Sequence, residues 1–122
     1  MNINLLGNPK KPIVEVKSAG PVILVEEDIE RLAEVLVQNH AQQVILHREN
    51  LAANFFDLQS GLAPAVMQQF VSCMTPLAIV GDFTDLRGSV WEAFIAECND
   101  GQNIFFLGSV SEALDKFRTL KK

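Results

Sequence analysis

The sequence contains no tyrosine, one tryptophan, two histidines and two cysteines among its 122 residues. Cys73 and Cys98 lie far apart, without the CxxC spacing of redox and zinc sites, and a disulfide framework needs more of them. We therefore expect two buried thiols, each inside a helical segment, in a reducing cytoplasm. Because the two histidines show neither HxxxH nor HxH spacing, we expect no metal site, and nothing in the sequence indicates another cofactor.

Positive charge is also scarce. Ten Lys and Arg residues stand against 15 Asp and Glu, which gives a net charge of -5 at pH 7. Nucleic-acid binding normally needs a basic stripe that displaces counterions, so we expect no nucleic-acid partner. The cations are scattered except for one cluster at the C-terminal end, which fits the negative end of a last helix. That cluster consists of Lys116, Arg118, Lys121 and Lys122.

No hydrophobic run is long enough to span a bilayer. The start of the chain, MNINLLGNPKKPIVEV, lacks the basic and then apolar order of a signal peptide. We therefore expect no membrane association. A hydrophobic content of 48% is typical of a globular protein, and 122 residues are enough for a single domain, residues 1–122, with a substantial core.

Short β-rich runs predict the strands. Residues 11–17 and 21–25 read as two strands joined by a turn at SAGP, and residues 1–11 either add a further strand or form an N-terminal extension. Three apolar runs, at residues 44–47, 77–81 and 104–107, are typical of parallel strands covered on both faces.

Helical spacing of apolar residues appears between these runs. It begins after Glu26, at Pro64, near Trp91 and after Ser109, where Glu112 completes a capping-box pattern. The predicted order is β-β-α-β-α-β-α-β-α, and the predicted fold class is α/β, with a mixed, mainly parallel central sheet and helices packed on it.

Polar side chains collect where the predicted parallel strands end. His47, Glu49 and Asn50 follow one strand and Asp82 follows the next, at the edge where α/β sheets bind ligands. One alternative is a small enzyme or ligand-binding domain that uses His47, Glu49 and Asp82 as acid and base groups. The other is that Asp82 caps a helix while His47 and Glu49 are solvated loop residues, and this second alternative is our interpretation. We assign no catalytic residue and expect a binding surface.

Two adjacent aromatics, Phe55 and Phe56, lie in the same region. On an extended segment they point in opposite directions, so one of them should be more exposed than the other. Together with Leu51 and Asp57 they give a mixed composition that suits a polar-rimmed patch. A protein partner, a small ligand or a second copy of the chain, forming a homodimer, would bind there.

Four segments are similar, in the same order, to a bacterial family known only by a serial domain-of-unknown-function number. They are ILHRENLAANFFDLQSGLA, LAIVGDF, WEAFIAECNDG and SVSEALDKF, within residues 13 to 120. This resemblance implies no known activity.

A more remote resemblance links FFDLQSGLA to the FIDSSGLG-type signature of STAS domains, the fold of sulphate transporters and anti-sigma-factor antagonists. LAIVGDF and NIFFLGSVSEALDKF also resemble the sporulation-antagonist branch of that fold. The resemblance implies a regulatory domain in which a partner kinase phosphorylates the hydroxyl residue before the Gly-Leu pair. That residue is Ser60 here, with Asp57 as the nearby acid, although one more residue separates the two than in the signature. Judged from the residues alone, Ser60 is either a cap or loop serine or a phospho-acceptor.

Overall fold

In a computed structural model the chain is described over residues 2–23 and 27–120, apart from the side chain of Leu58. These residues form five strands and four α-helices, joined by short 3₁₀ turns. The strands are β1 (Ile3–Asn8), β2 (Lys11–Val16), β3 (Gln43–His47), β4 (Leu77–Val80) and β5 (Ile104–Leu107). The helices are α1 (Glu27–Gln38), α2 (Leu62–Ser72), α3 (Val90–Asn99) and α4 (Val110–Thr119).

The five strands form one sheet in the order β1-β2-β3-β4-β5. β1 runs antiparallel to β2, while β2, β3, β4 and β5 are parallel to one another. The predicted fold class, a mixed and mainly parallel sheet with helices packed on it, is confirmed, as are the three predicted parallel strands. Because every parallel connection leads to the neighbouring strand, the carboxyl ends of β3, β4 and β5 lie side by side at one edge of the sheet.

The sheet separates two hydrophobic clusters. Alternate strand residues such as Val14, Leu46 and Ile79 pack with α1, α2 and α3 on one face. The intervening residues, such as Ile45 and Phe105, pack with α4 on the other. This alternation follows from the two-residue period of a strand, and a right-handed crossover between neighbouring strands puts α1, α2 and α3 on the same side.

The strand predicted at residues 11–17 is confirmed as β2, and its hairpin partner is the N-terminal segment. The hairpin joins β1 to β2 through a tight turn in which Asn8 pairs with Lys11, so the N-terminal segment is a strand. The strand predicted at residues 21–25 does not form over Pro21–Ile23, and residues 24–26 lie outside the described ranges. Asn50 explains this difference, since its carbonyl oxygen accepts hydrogen bonds from the backbone N–H groups of Val22 and Ile23. Ile23 consequently bridges to Leu51 and not to β2.

The helix boundaries follow local chemistry. Ser109 caps α4 by accepting a hydrogen bond from the Glu112 backbone N–H, as its capping-box pattern predicts. Gly61 precedes α2 with a φ of 75°, a left-handed conformation that glycine adopts at little cost. The expectation of two buried thiols is wrong for Cys73, which is exposed at the end of α2, whereas Cys98 is half-buried.

Candidate functional site

Arg48 is the centre of the polar groups at the carboxyl ends of the strands. It follows β3 directly, and its guanidinium reaches across to the segment that follows β4. Nη1 and Nη2 donate to Oδ1 and Oδ2 of Asp85 at 2.6 and 2.8 Å. Nη1 also donates to the backbone carbonyl oxygen of Asp82 at 2.6 Å. A bidentate arginine–carboxylate pair is among the strongest charge-assisted contacts in proteins, so Arg48 ties the β3 and β4 ends together.

Two aromatic rings complete the environment of Arg48. Its Cζ lies 4.7 Å from the ring centroid of Phe56 and 5.4 Å from that of Phe83, both within cation–π range. Phe56 is held in turn by Trp91, whose indole N–H donates to the Phe56 carbonyl oxygen at 3.0 Å. We call Arg48, Phe56, Asp82, Phe83 and Asp85 the strand-end surface.

Gly81 makes this arrangement possible. A Cβ at this position would lie 2.8 Å from the Cβ of Arg48, which is closer than two such atoms can approach. The side chain of Arg48 therefore passes over the end of β4 only because residue 81 has no side chain. This close approach is a second reason, beside the ion pair, for the fixed position of the guanidinium.

The electrostatics keep the surface ionised. The hydrogen bonds from Arg48 lower the pKa of the Asp85 carboxyl, and the same pair raises the pKa of Arg48. The pKa of Asp82 is lowered because its carboxylate accepts a hydrogen bond from the Thr84 backbone N–H at 2.9 Å. Both aspartates are exposed, so solvent weakens these interactions. All three groups are charged at neutral pH.

His47 points to the opposite face of the sheet from Leu46, toward the α4 side. Its Nε2 donates to Oε2 of Glu15 at 2.7 Å, and the Glu15 side chain is 6% exposed. Lys17 lies 3.8 Å from the same carboxylate oxygen. His47 is therefore part of a polar pair between β2 and β3 and belongs to a different environment from Arg48.

Asn50 was predicted on the binding surface but is fully buried. Its amide nitrogen donates to the carbonyl oxygens of Ser18 and Gly20 at 2.8 and 3.2 Å, and its side-chain oxygen accepts from the His47 backbone N–H at 2.9 Å. These three hydrogen bonds hold the segment after β2 against the end of β3. Asn50 thus has a structural role and no surface for a partner.

The adjacent phenylalanines lie in a 3₁₀ turn, Ala53–Phe56, and not on an extended segment. Phe55 is fully buried, whereas Phe56 is half-buried. The expectation that one ring would be more exposed is confirmed, although its reason was wrong. Leu51 is buried as well, so among these three apolar residues Phe56 is the one that can contact a partner.

Ser60 stands directly before the N-cap of α2. The residue is exposed, but its hydroxyl oxygen lies 2.5 Å from the Asn54 carbonyl oxygen and 2.8 Å from that of Asp57, so its proton is shared between two carbonyls. The same oxygen accepts a hydrogen bond from the Leu62 backbone N–H at 3.2 Å. Asp57 accepts from the Gln59 backbone N–H. Both side chains therefore shape the turn that leads into α2.

The three residues that an enzyme would use as acid and base groups do not bond to one another. His47 bonds to Glu15, Asp82 bonds to the Thr84 backbone, and Glu49 is exposed to solvent. Within residues 2–23 and 27–120, no three His, Cys, Asp or Glu side chains are placed to hold a metal ion.

No helix in the described part of the chain has the length and apolar content needed to cross a membrane.

Arg48, Phe83, Asp85, Trp91 and Glu15 were not singled out from the sequence as site residues. Arg48 lies between His47 and Glu49, and its position directly after a strand is a usable signal. Its partner is 37 residues away in the chain, and no spacing rule connects two residues so far apart.

Residues 8–117 match the family model described as "Domain of unknown function (DUF4180)". This range includes the hairpin turn, the helices α1, α2 and α3, the strand-end surface and most of α4. The chain belongs to the DUF4180 family. Comparisons with curated proteins and with solved structures gave no match. The resemblance to a serially numbered family is thereby confirmed, and the family brings no activity with it.

Proposed function

We propose that the chain is a cytoplasmic, STAS-like regulatory domain that recognises another protein through the strand-end surface. The observation that carries this proposal is Arg48, which is partly exposed and held in place at the centre of the strand-end surface. The Arg48 side chain is 28% exposed, yet it makes three hydrogen bonds and contacts two rings. The few residues that dominate the binding energy of protein interfaces are often arginines, and phenylalanine is enriched at interfaces. Side chains already held in place lose little entropy on binding.

The charge of the surface indicates the chemistry of the partner. Asp85 neutralises Arg48. Glu49, Asp57 and Asp82 are exposed on the chain segments that form this surface, and Arg87 is the exposed cation there. The surface is therefore acidic at its rim and partly aromatic at its centre. Complementary potentials favour association, so the partner surface is expected to carry lysine or arginine around an apolar group that packs on Phe56.

The STAS-like part of the proposal is supported by the resemblance of FFDLQSGLA to the STAS signature and by the place of Ser60 directly ahead of α2. Ser60 is the proposed regulatory position. A phosphate there would replace a hydroxyl donor with a group of about -1.5 to -2 charges, facing the two carbonyl oxygens that the hydroxyl now contacts. Their repulsion would open the turn that positions Phe56, so modification would change the binding surface.

Site-specific photo-cross-linking in the native host cell tests the proposal. A photoreactive residue at Glu49, adjacent to Arg48, is compared with the same residue at Glu97, an exposed glutamate on α3. We expect a discrete protein adduct from position 49 that is absent at position 97 and at least several times weaker in an Arg48→Ala background. An adduct of twice the chain's mass would identify a second copy as the partner.

The proposal would be contradicted if position 49 gave no adduct, if both positions gave the same adducts, or if the adduct persisted at full yield with Arg48→Ala. Circular dichroism of the purified variants separates loss of binding from loss of the fold.

A further inference from the structure

A second region lies at the opposite edge of the sheet, where the parallel strands begin. A cavity of about 460 Å³ opens there between the C-terminal half of α4 and the β1–β2 hairpin. Among the described elements α4 is the one that covers this face of the five-stranded sheet, so the face of β1 and β2 stays partly uncovered by them. Volumes of about 300–1,000 Å³ are typical of small-ligand sites.

The floor of this cavity is apolar. Ile13 from β2 and Phe117 from α4 are buried at 7% and 4% exposure, and Leu114 and Leu120 line its α4 side. Gln43, at the start of β3, is buried at 8% exposure and adds one amide. Such a lining, apolar with few polar groups, favours a ligand with a hydrocarbon body.

The rim of the cavity is cationic. Lys11 lines it from the hairpin and Arg118 from α4, and the lining residues within the described part of the chain include no Asp or Glu. Arg118 also pairs with Asp115, one turn earlier on α4, and both side chains are largely exposed. An exposed pair of this kind contributes little stability, so Arg118 can exchange Asp115 for a ligand anion at small cost.

The sequence concentrates positive charge at this end of an acidic chain. Two segments, residues 1–16 and 110–122, carry six of the ten Lys and Arg residues but only three of the fifteen Asp and Glu residues. The hairpin and α4 belong to these segments and meet at the cavity. A local positive potential on an otherwise negative protein attracts anions.

We infer that this cavity binds an amphipathic anion, a straight hydrocarbon chain that ends in a carboxylate. The hydrocarbon lies on Ile13, Leu114 and Phe117, and the carboxylate is held at the rim by Lys11 and Arg118. The site is separate from the strand-end surface, which lies at the other edge of the sheet, and it does not depend on the proposed protein partner.

Calorimetric titration of the purified chain tests this inference. The probes are decanoate, the neutral decanol and the cationic decyltrimethylammonium, each below its aggregation concentration. We expect saturable binding of decanoate at one site and at least tenfold weaker binding of the other two. In the double variant Lys11→Gln, Arg118→Gln, decanoate should bind at least tenfold more weakly. A matched double variant, Arg31→Gln with Arg87→Gln, removes two exposed cations elsewhere and should bind like the wild type.

A second variant, Leu114→Trp, fills the cavity without changing charge and should abolish binding, with circular dichroism and thermal unfolding as checks of the fold. If decanoate does not bind saturably, the inference is wrong. It is also wrong if decanol binds as tightly as decanoate, or if the Lys11→Gln, Arg118→Gln variant keeps wild-type affinity.

Discussion

At the scale of single residues, Asn50 shows how one buried amide decides a local fold. Its side chain bridges the segment after β2 to the end of β3, while its backbone carbonyl accepts from Val22 and Ile23. A residue read from the sequence as part of a surface is thus an internal connection between two chain segments.

Replacing Asn50 with alanine is expected to lower the free energy of unfolding by about 2–4 kcal/mol, since three hydrogen bonds are lost and three partly buried backbone groups lose this partner. Chemical denaturation of the purified variant measures the change. Glu49→Ala, at an exposed neighbouring position, serves as the control and should stay within about 0.5 kcal/mol of wild type. A cost for Asn50→Ala no larger than the control's would refute the structural role of this amide.

The Arg48–Asp85 pair should make stability depend on pH. Folding lowers the pKa of Asp85 through its hydrogen bonds with Arg48, so the unfolded chain binds a proton more readily than the folded one. The pair's contribution is fully present above the unfolded pKa, about 3.9, and is lost as the pH falls through the folded pKa.

A double-mutant cycle of Arg48→Ala and Asp85→Asn, measured by denaturation at several pH values, isolates this contribution. The coupling energy should be constant from neutral pH down to the unfolded pKa and then decline. The same cycle at 1 M salt serves as a control, because exposed charges are screened there and the coupling should shrink at every pH. A coupling that grew on acidification would contradict the assignment.

At the scale of elements, the parallel strands could be predicted because they are apolar on both faces, and such runs have few alternatives. β1 could not be placed securely because its sequence, INLLGN, is partly exposed and short. The strand predicted at residues 21–25 has suitable β-branched residues, but the backbone N–H groups of Val22 and Ile23 donate to Asn50, a partner that local patterns do not reveal.

Helical periodicity likewise located each helix but overestimated the buried face. Val37, Val71 and Val90 fit apolar stripes, yet they are 74%, 46% and 67% exposed. Met74 also fits the stripe of α2, but it lies beyond the end of that helix and is 85% exposed. Spacing gives the direction of a helix face, whereas the width of the contact depends on what packs against it. The same limit applies to the candidate site. The sequence predicts the edge of the sheet at which it lies, but not the contact between Arg48 and Asp85, which are far apart in the chain.

The turn before α2 should respond differently to two substitutions of Ser60. Alanine removes a donor shared by the Asn54 and Asp57 carbonyls, which should cost about 1 kcal/mol. Aspartate removes the same donor and adds a negative charge facing the two carbonyl oxygens, so Ser60→Asp should be the less stable variant. Thermal unfolding of both variants gives the order, with Ser111→Asp, at an exposed serine in the first turn of α4, as the charge control at a helix N-terminus. Equal stability of the two Ser60 variants would mean that this turn does not sense charge.

At the scale of the whole molecule, the two edges of the sheet differ in character. The carboxyl ends of the strands carry a fixed polar and aromatic surface, and the amino ends carry a cavity with a cationic rim. At the first edge, the segments after β3 and β4 and the turn around Phe56 all contact one guanidinium. They therefore behave as one surface and not as three independent loops.

Amide hydrogen exchange, compared between the purified wild type and Arg48→Ala, tests most directly whether the three segments behave as one surface. Arg48→Lys is the control for charge, since lysine cannot make the bidentate contact and should resemble alanine in the loops. We expect the protected amides of residues 48–52, 54–60 and 81–86 to lose protection together, while those of β1, β2 and α4 exchange as in the wild type. If only the turn that contains Asp85 changed, the three segments would be independent and the strand-end surface would not exist as a unit.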